Sequence, residues 1–345
     1  MPPGQGRRGG AGRDLMFFGE VPVRDAAGAI LAHSLALPGG RLRKGRILSA
    51  ADCAAAEAAG VRALTVARPG AHDVGEDPAA ARLAAAALAS ADGLAATRAA
   101  TGRANLRALR TGILLYEADA VHRLNAIDPG VTLAMRAPVR RAAEGEIVGT
   151  VKIIPYAVPG TALDKACAEA ARVAPRVVAP VLPDAALIVT ELPGAATGGD
   201  KAEAAVAGRL AALGAGLAAT IRVPHEVSAI ARALAGAPGA ALLILTASAT
   251  SDVRDTAPAA VRAAGGEVTR FGMPVDPGNL LFLGTLGRRP VIGLPGCARS
   301  PALNGADWVI DRVFAGLPCG DAEIAAMGVG GLLKESPARG RPRAL

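Results

Sequence analysis

The sequence predicts an α/β protein, with a C-terminal three-layer α/β/α domain on a mainly parallel sheet, preceded by a smaller mixed α+β region. Three observations lead there. From about Val181 the chain alternates apolar strand-like runs with helical patterns at the spacing of βα units. Before that point, short period-two and helical segments follow one another without a steady rhythm. With 345 residues, 51% of them hydrophobic, the chain exceeds one ordinary domain and can fill more than one core. The expected division is a disordered 1–15, a mixed α+β region over 16–180, the α/β domain over 181–318, and a largely disordered tail over 319–345.

The first structured stretch reads as β-rich, Phe17 to Val23 and Ala29 to Leu37, ending in the turn Pro38 to Gly40. Ser49 before Ala50, Ala51 and Asp52 is an N-cap pattern, and Gly60 is a natural helix end, so a helix between them precedes a strand over Val61 to Val66. Asp77 and Pro78 suggest a second helix opening as cap then proline. GILLYEADAVHRLNAIDPGVTLAMRAP reads as strand, helix, strand, and GEIVGTVKIIPYAVPG as the clearest period-two strand of this half.

In the second half, ALIVTELPG is a buried-type strand into a loop, DKAEAAVAGRLAALG a helix, LAATIRV a strand and HEVSAIARALAG a helix. ALLILTASATSD repeats strand into loop, followed by the helix TAPAAVRAAGG and the strand EVTRFGM. LLFLG and PVIGLPG are short strands, and LNGADWVIDRVFAG closes the domain as a helix. Strands of this kind are covered on both faces, and ligands sit beyond their carboxyl ends. That rule selects the loops TELPG from Thr190, TASATSDVRD from Thr246 and LPGCARSP from Leu294.

Composition excludes several functions. The net charge of +8 is concentrated in Arg7, Arg8 and Arg13, in Arg339, Arg341 and Arg343, and in RLRKGR from Arg41 to Arg46. With aromatic residues at only 2%, stacking platforms for single strands are lacking, which argues against nucleic acid and leaves attraction of a small phosphorylated anion. Cys53, Cys167, Cys297 and Cys319 lie far apart with no CxxC spacing, which argues against structural zinc or a redox pair and fits a reduced cytoplasmic setting. No apolar run approaches the length of a membrane span. Folded-looking sequence begins at MFFGEVPV, so Met16 competes with Met1 as the start. GxxxxGK[ST], GxGxxG at the first helix of the βα region, GxSxG and HExxH are missing, which removes the standard ATPase, simple dehydrogenase, esterase and zinc-protease readings.

Chemistry is therefore sought in the loops. Small residues in TASATSDVRD let backbone amides approach an anion, while Thr246, Ser248, Thr250 and Ser251 add hydroxyls. Asp252 and Asp255 are spaced to hold a hydrated Mg²⁺, or else Asp255 caps the next helix and Asp252 is solvated. Pro277, Gly278 and Asn279 precede one strand; Gly296, Cys297, Arg299 and Ser300 follow another. Both groups offer turn amides, and Arg299 a phosphate partner, although Pro-Gly also marks ordinary reversals. Cys297 has no histidine nearby in sequence and reads as a packed thiol, and His225 as a helix-start or packing residue.

TASATSDVRD, then GMPVDPGNLLFLG, then PVIGLPGCARSPALNGADWVIDRVFAG together resemble the molybdopterin-binding fold family, which includes the MoeA-like molybdopterin molybdenumtransferases and the MogA-like adenylyltransferases. That family pairs a TGG-type loop ending in Asp with a PG-containing loop and an LPGNP-type loop. The resemblance covers Leu187 to Gly316 and is nearest to molybdopterin-binding proteins whose similar domains are joined elsewhere to a molybdenum cofactor nucleotidyltransferase, a segment not recognised in this sequence.

The resemblance implies a binding site made of Thr190, Glu191, Thr246, Ala247, Ser248, Thr250, Pro277, Gly278, Asn279, Gly296, Cys297 and Ser300, with Asp252 and Asp255 as metal ligands and Asp255 as the catalytic candidate. The implied ligand is molybdopterin or the molybdenum cofactor, with Mg²⁺ as a companion cation. The implied role is biosynthesis, maturation or delivery of that cofactor to a nucleotidyltransferase or a molybdoenzyme, and a homo-oligomer is compatible with it. Ala247 and Ser248 replace the paired glycines, and Cys297 and Ala298 replace Asn-Pro. Added Cβ atoms narrow such a loop, so binding is favoured over a Mg-dependent molybdenumtransferase or nucleotidyltransferase. A non-catalytic scaffold that has lost the ligand is the third reading.

Overall fold

The computed structural model describes residues 16–194 and 199–333, and the expectations for 1–15 and 334–345 lie outside them. The chain divides into two compact units, one of Met1–Arg107, Tyr116–Arg136 and Ile147–Pro175, the other of Ala108–Leu115, Ala137–Glu146 and Arg176–Leu345.

The first unit opens on an antiparallel three-stranded sheet, in which Ala63–Arg68 lies between Phe17–Pro22 and Ile30–Leu31. The β-rich stretch Ala29 to Leu37 holds two strands. Ile30–Leu31 pairs with Ala63–Arg68, while Leu35–Leu37 folds back on Gly40–Leu42 across the Pro38 turn. Helix Ala50–Ala58 starts as expected: Ser49 Oγ accepts the amide of Asp52, and Asp52 returns a bond from the Ser49 amide. Arg46 holds the Asp52 carboxylate with two bonds.

The rest of this unit is a four-stranded sheet in the order Val131–Met135, Ile147–Ile153, Arg103–Ala108, Leu94–Ala96. Leu106, Leu133, Val151 and Ile153 pack with Leu83, Leu124 and Leu163 from the helices Glu76–Ala87, Ala118–Asn125 and Gly160–Ala170. The second of these expectations needs correction. Gly75, not Asp77, is the N-cap of Glu76–Ala87, and Asp77 instead accepts the amide of Gly102 at 2.6 Å. Pro78 still lies in the first turn, where no intrahelical donor is lost.

In the second unit six strands form one sheet in the order Gly216–Pro224, Asp184–Glu191, Ala241–Leu245, Arg289–Leu294, Phe282–Leu286, Glu267–Phe271. The first four are parallel, Phe282–Leu286 runs against them, and Glu267–Phe271 runs with them again. Alternation explains the three layers. Leu187, Val189, Leu243, Leu245 and Ile292 face helices Gly199–Ala211 and Gly305–Phe314, while Ile188, Leu242, Ile244 and Val291 face Val227–Gly236 and Thr256–Ala263. The α/β class predicted from the sequence is the one observed.

Gly112–Leu115, flanked by Arg140–Ala142 and Arg176–Val178, makes a small antiparallel sheet that belongs to this second unit, although it interrupts the first in sequence. Within the stretch expected to be a disordered tail, Asp321–Ala326 is a helix, and Ile324 and Met327 are buried in the same core as Trp308 and Phe314. Their apolar side chains give that segment a reason to fold. Among the described residues no helix is long and apolar enough to cross a membrane.

Candidate functional site

Strand direction brings the loops after Glu191, Leu245, Phe271 and Leu294 to one edge of the six-stranded sheet. Thr190 is the residue above Val189, which pairs with Leu245, so Thr190 and the Thr246 loop are neighbours by register. Its hydroxyl oxygen accepts the amide of Ala247 at 2.8 Å and lies 2.9 Å from Nδ1 of His225. The Arg299 guanidinium donates to the carbonyl of Thr246 at 2.8 Å. The 246–247 peptide is thus held at both its oxygen and its nitrogen.

The remaining hydroxyls of this loop turn inward. Thr246 donates to the carbonyl of Ser248 at 2.6 Å and lies 3.5 Å from the Thr250 hydroxyl, and Thr190, Thr246 and Thr250 are all buried. These three threonines hold the loop and do not present hydroxyls outward. Ser248 and Ser251 are exposed, and among the described residues the amides of Ser248, Ala249 and Thr250 donate to no protein acceptor. Neither Ala247 nor Ser248 has a positive φ, so side chains in these two positions carry no backbone strain.

The two carboxylates do local work. Asp255 caps helix Thr256–Ala263, accepting the amides of Thr256 at 2.6 Å and Ser251 at 3.1 Å. Asp252 accepts from the side chain of Arg254 and from its amide, which hold its carboxyl down at about 2. Both therefore point at donors of their own loop, and among the described residues no group of three or more potential ligand side chains gathers that would hold a metal ion. Glu191 is 3.6 Å from Arg222 in an ion pair.

Gly278 is a contact between two backbones. Its φ is +141°, and a Cβ there would come within 2.7 Å of the Gly305 nitrogen. The carbonyl of Pro277 accepts the amide of Gly305 at 2.8 Å, so the turn of Pro277, Gly278 and Asn279 docks on the start of helix Gly305–Phe314. Asn279 is exposed, and its carbonyl accepts the amide of Met273. Among the described residues no hydrogen bond joins this turn to the Thr246 loop. Gly296 is exposed with open space around its Cβ direction, Cys297 is half-buried in the short helical turn Gly296–Arg299, and Ser300 is exposed.

Arg209 organises that last loop, and sequence reasoning passed over it. It is 4% exposed and donates to the carbonyls of Ala298, Ser300 and Ala302, with Nε 3.0 Å from Asp307. The signal was present: Arg209 falls on the apolar stripe of its helix, three residues after Val206 and beside Leu210, where an unpaired cation is costly. A guanidinium with five fixed donors suits a row of loop carbonyls.

Residues 20–68 match the model of a family described as a domain of unknown function, DUF8806. No curated protein matches the chain. Among solved structures the chain is similar to a molybdopterin biosynthesis MoeA protein from Pyrococcus horikosii, at 14% identity and a TM-score of 0.27, over 81% of this chain and 70% of that one. It is also similar to a molybdenum cofactor biosynthesis protein from Pyrococcus furiosus, at 13% identity and a TM-score of 0.22, over 83% of this chain and 60% of that one.

Proposed function

We propose that the second unit binds molybdopterin or the molybdenum cofactor through its phosphate, at the Thr246–Asp255 loop. One observation carries this: in a loop at the carboxyl edge of a parallel sheet, held by Thr190 and Arg299, the Ser248, Ala249 and Thr250 amides have no protein acceptor among the described residues. The residue pattern of TASATSDVRD and LPGCARSP supports the pterin part of the reading. Ser248 and Ser251 would add hydroxyl donors to the phosphate, and the loop from Gly296 to Ser300, held by Arg209, would form the adjoining wall.

Binding is favoured over metal-dependent transfer because Asp252 and Asp255 are committed to Arg254 and to backbone amides. The carboxylates do not fit a Mg²⁺ site as they stand, and no step is routed through one. In this reading the protein is a cytoplasmic accessory that keeps the cofactor during maturation or passes it to a nucleotidyltransferase or target molybdoenzyme.

The test is release of pterin. Protein purified from a host that makes the cofactor, denatured and oxidised, should yield a fluorescent pterin, and Ser248→Asp should abolish it by placing a negative charge among the amides. No pterin from the wild type, and no uptake of added molybdopterin, would sink the reading.

A further inference from the structure

We propose that His225 is a positioning residue for the Thr246–Asp255 loop, acting through the hydroxyl of Thr190; its value to the ligand rests on the binding site just described. A backbone N–H can only donate, so at 2.8 Å Thr190 Oγ1 accepts from Ala247. The hydroxyl then has one hydrogen to give, and Nδ1 of His225 stands 2.9 Å away as its acceptor. A hydroxyl oxygen can accept two bonds, but were Nδ1 to donate, the hydrogen of this buried hydroxyl would have no acceptor among the described residues, which assigns the neutral imidazole the tautomer protonated on Nε2. The bonds run in one direction, from the Ala247 amide to the Thr190 hydroxyl to the imidazole, and each polarises the next.

Burial makes the arrangement demanding. Thr190 is 2% exposed, so water does not readily replace the imidazole as acceptor for its hydrogen. His225 is held in place by its own amide, which donates to the carbonyl of Glu191 at 2.9 Å, beside the pair Glu191 and Pro224 of the parallel ladder. The far side of the held peptide is the Thr246 carbonyl on Arg299. His225 and Arg299 therefore act on the two ends of one peptide plane, and that plane leads directly into Ser248, Ala249 and Thr250.

The experiment compares His225→Ala, His225→Asn and Thr190→Val in the full chain. Readouts are the nitrogen chemical shifts of the His225 ring, hydrogen exchange at the Ala247 amide, and affinity for inorganic phosphate. The expected ring signature is the Nε2–H tautomer. His225→Ala should speed Ala247 exchange about fivefold, the worth of one net hydrogen bond. His225→Asn, whose carbonyl oxygen can stand near the Nδ1 position, should restore protection. Adding His225→Ala to Thr190→Val should change nothing further. Phosphate affinity should fall by a similar factor in His225→Ala.

An Nδ1–H tautomer, or equal exchange in the Ala and Asn variants, overturns the proposal. So does phosphate binding that His225→Ala leaves unchanged, with the ligand site itself intact. If the wild type binds no phosphate while the exchange pattern holds, the ligand reading falls and the His225–Thr190–Ala247 latch stands.

Discussion

Arg209 and Asp307 meet at 3.0 Å with only 3% and 8% of their side chains exposed, joining helix Gly199–Ala211 to helix Gly305–Phe314. The same guanidinium holds three carbonyls of the loop that ends the fourth parallel strand, so one cation sets both the packing of two helices and the shape of the loop from Ala298 to Ala302.

Removing that cation should be costly. Arg209→Met is expected to lower unfolding free energy by about 3 kcal/mol or more in urea titration, because Asp307 stays buried after its nearest cation is gone. Arg82→Met, which breaks an exposed pair with Asp164, should cost less than about 1 kcal/mol. Equal effects would deny Arg209 its special place.

Asp255 separates capping from metal chemistry. Asp255→Ala should destabilise the protein by about 1 kcal/mol through loss of the cap, and Asp255→Asn should recover most of that. Under the binding reading, Asp255→Asn retains pterin. A Mg²⁺-dependent activity lost in the Asn variant at unchanged stability would instead make the carboxylate a metal ligand.

Asp311 costs the fold stability as the pH rises out of mild acid. Burial raises its carboxyl to about 6, against the pull of Arg141, whose Nε is 2.5 Å from the carboxylate. In the unfolded chain it titrates near 4, so between about pH 4 and 6 the folded state binds more protons and this group's contribution falls as pH rises. Above pH 6 the penalty is complete, roughly 3 kcal/mol by that linkage. Asp311→Asn should flatten this part of the stability profile, measured by chemical denaturation across pH 4 to 7. A profile unchanged by the substitution would refute the assignment.

Gly278→Ala tests the docked turn. The new Cβ meets the Gly305 nitrogen at 2.7 Å and sits at a φ of +141°, so a loss of about 2 kcal/mol is expected. Calorimetry should show a lower Tm. An unchanged Tm would mean that the turn and the helix start separate easily.

Local pattern determined much of this protein. Leu242, Leu243, Ile244 and Leu245 are apolar at every position because that strand is buried on both faces, and this run, with the helical stretches around it, made a covered parallel sheet legible in advance. Ser49 was readable as a cap because a cap depends on residues within one turn. The edge of the sheet that carries the loops followed from strand direction alone.

Tertiary structure decided which way the loop groups face. Thr190, Thr246 and Thr250 carry the same hydroxyl as an outward ligand would, and only closure against Ala247, Ser248 and His225 makes them internal fasteners. Arg209 finds carbonyls about ninety residues further along the chain, and Gly112–Leu115 joins a unit whose main body begins beyond it. Periodicity records which face of an element avoids water. It carries no record of the partner that a buried donor meets across a closed fold, because that meeting is fixed by how whole elements pack.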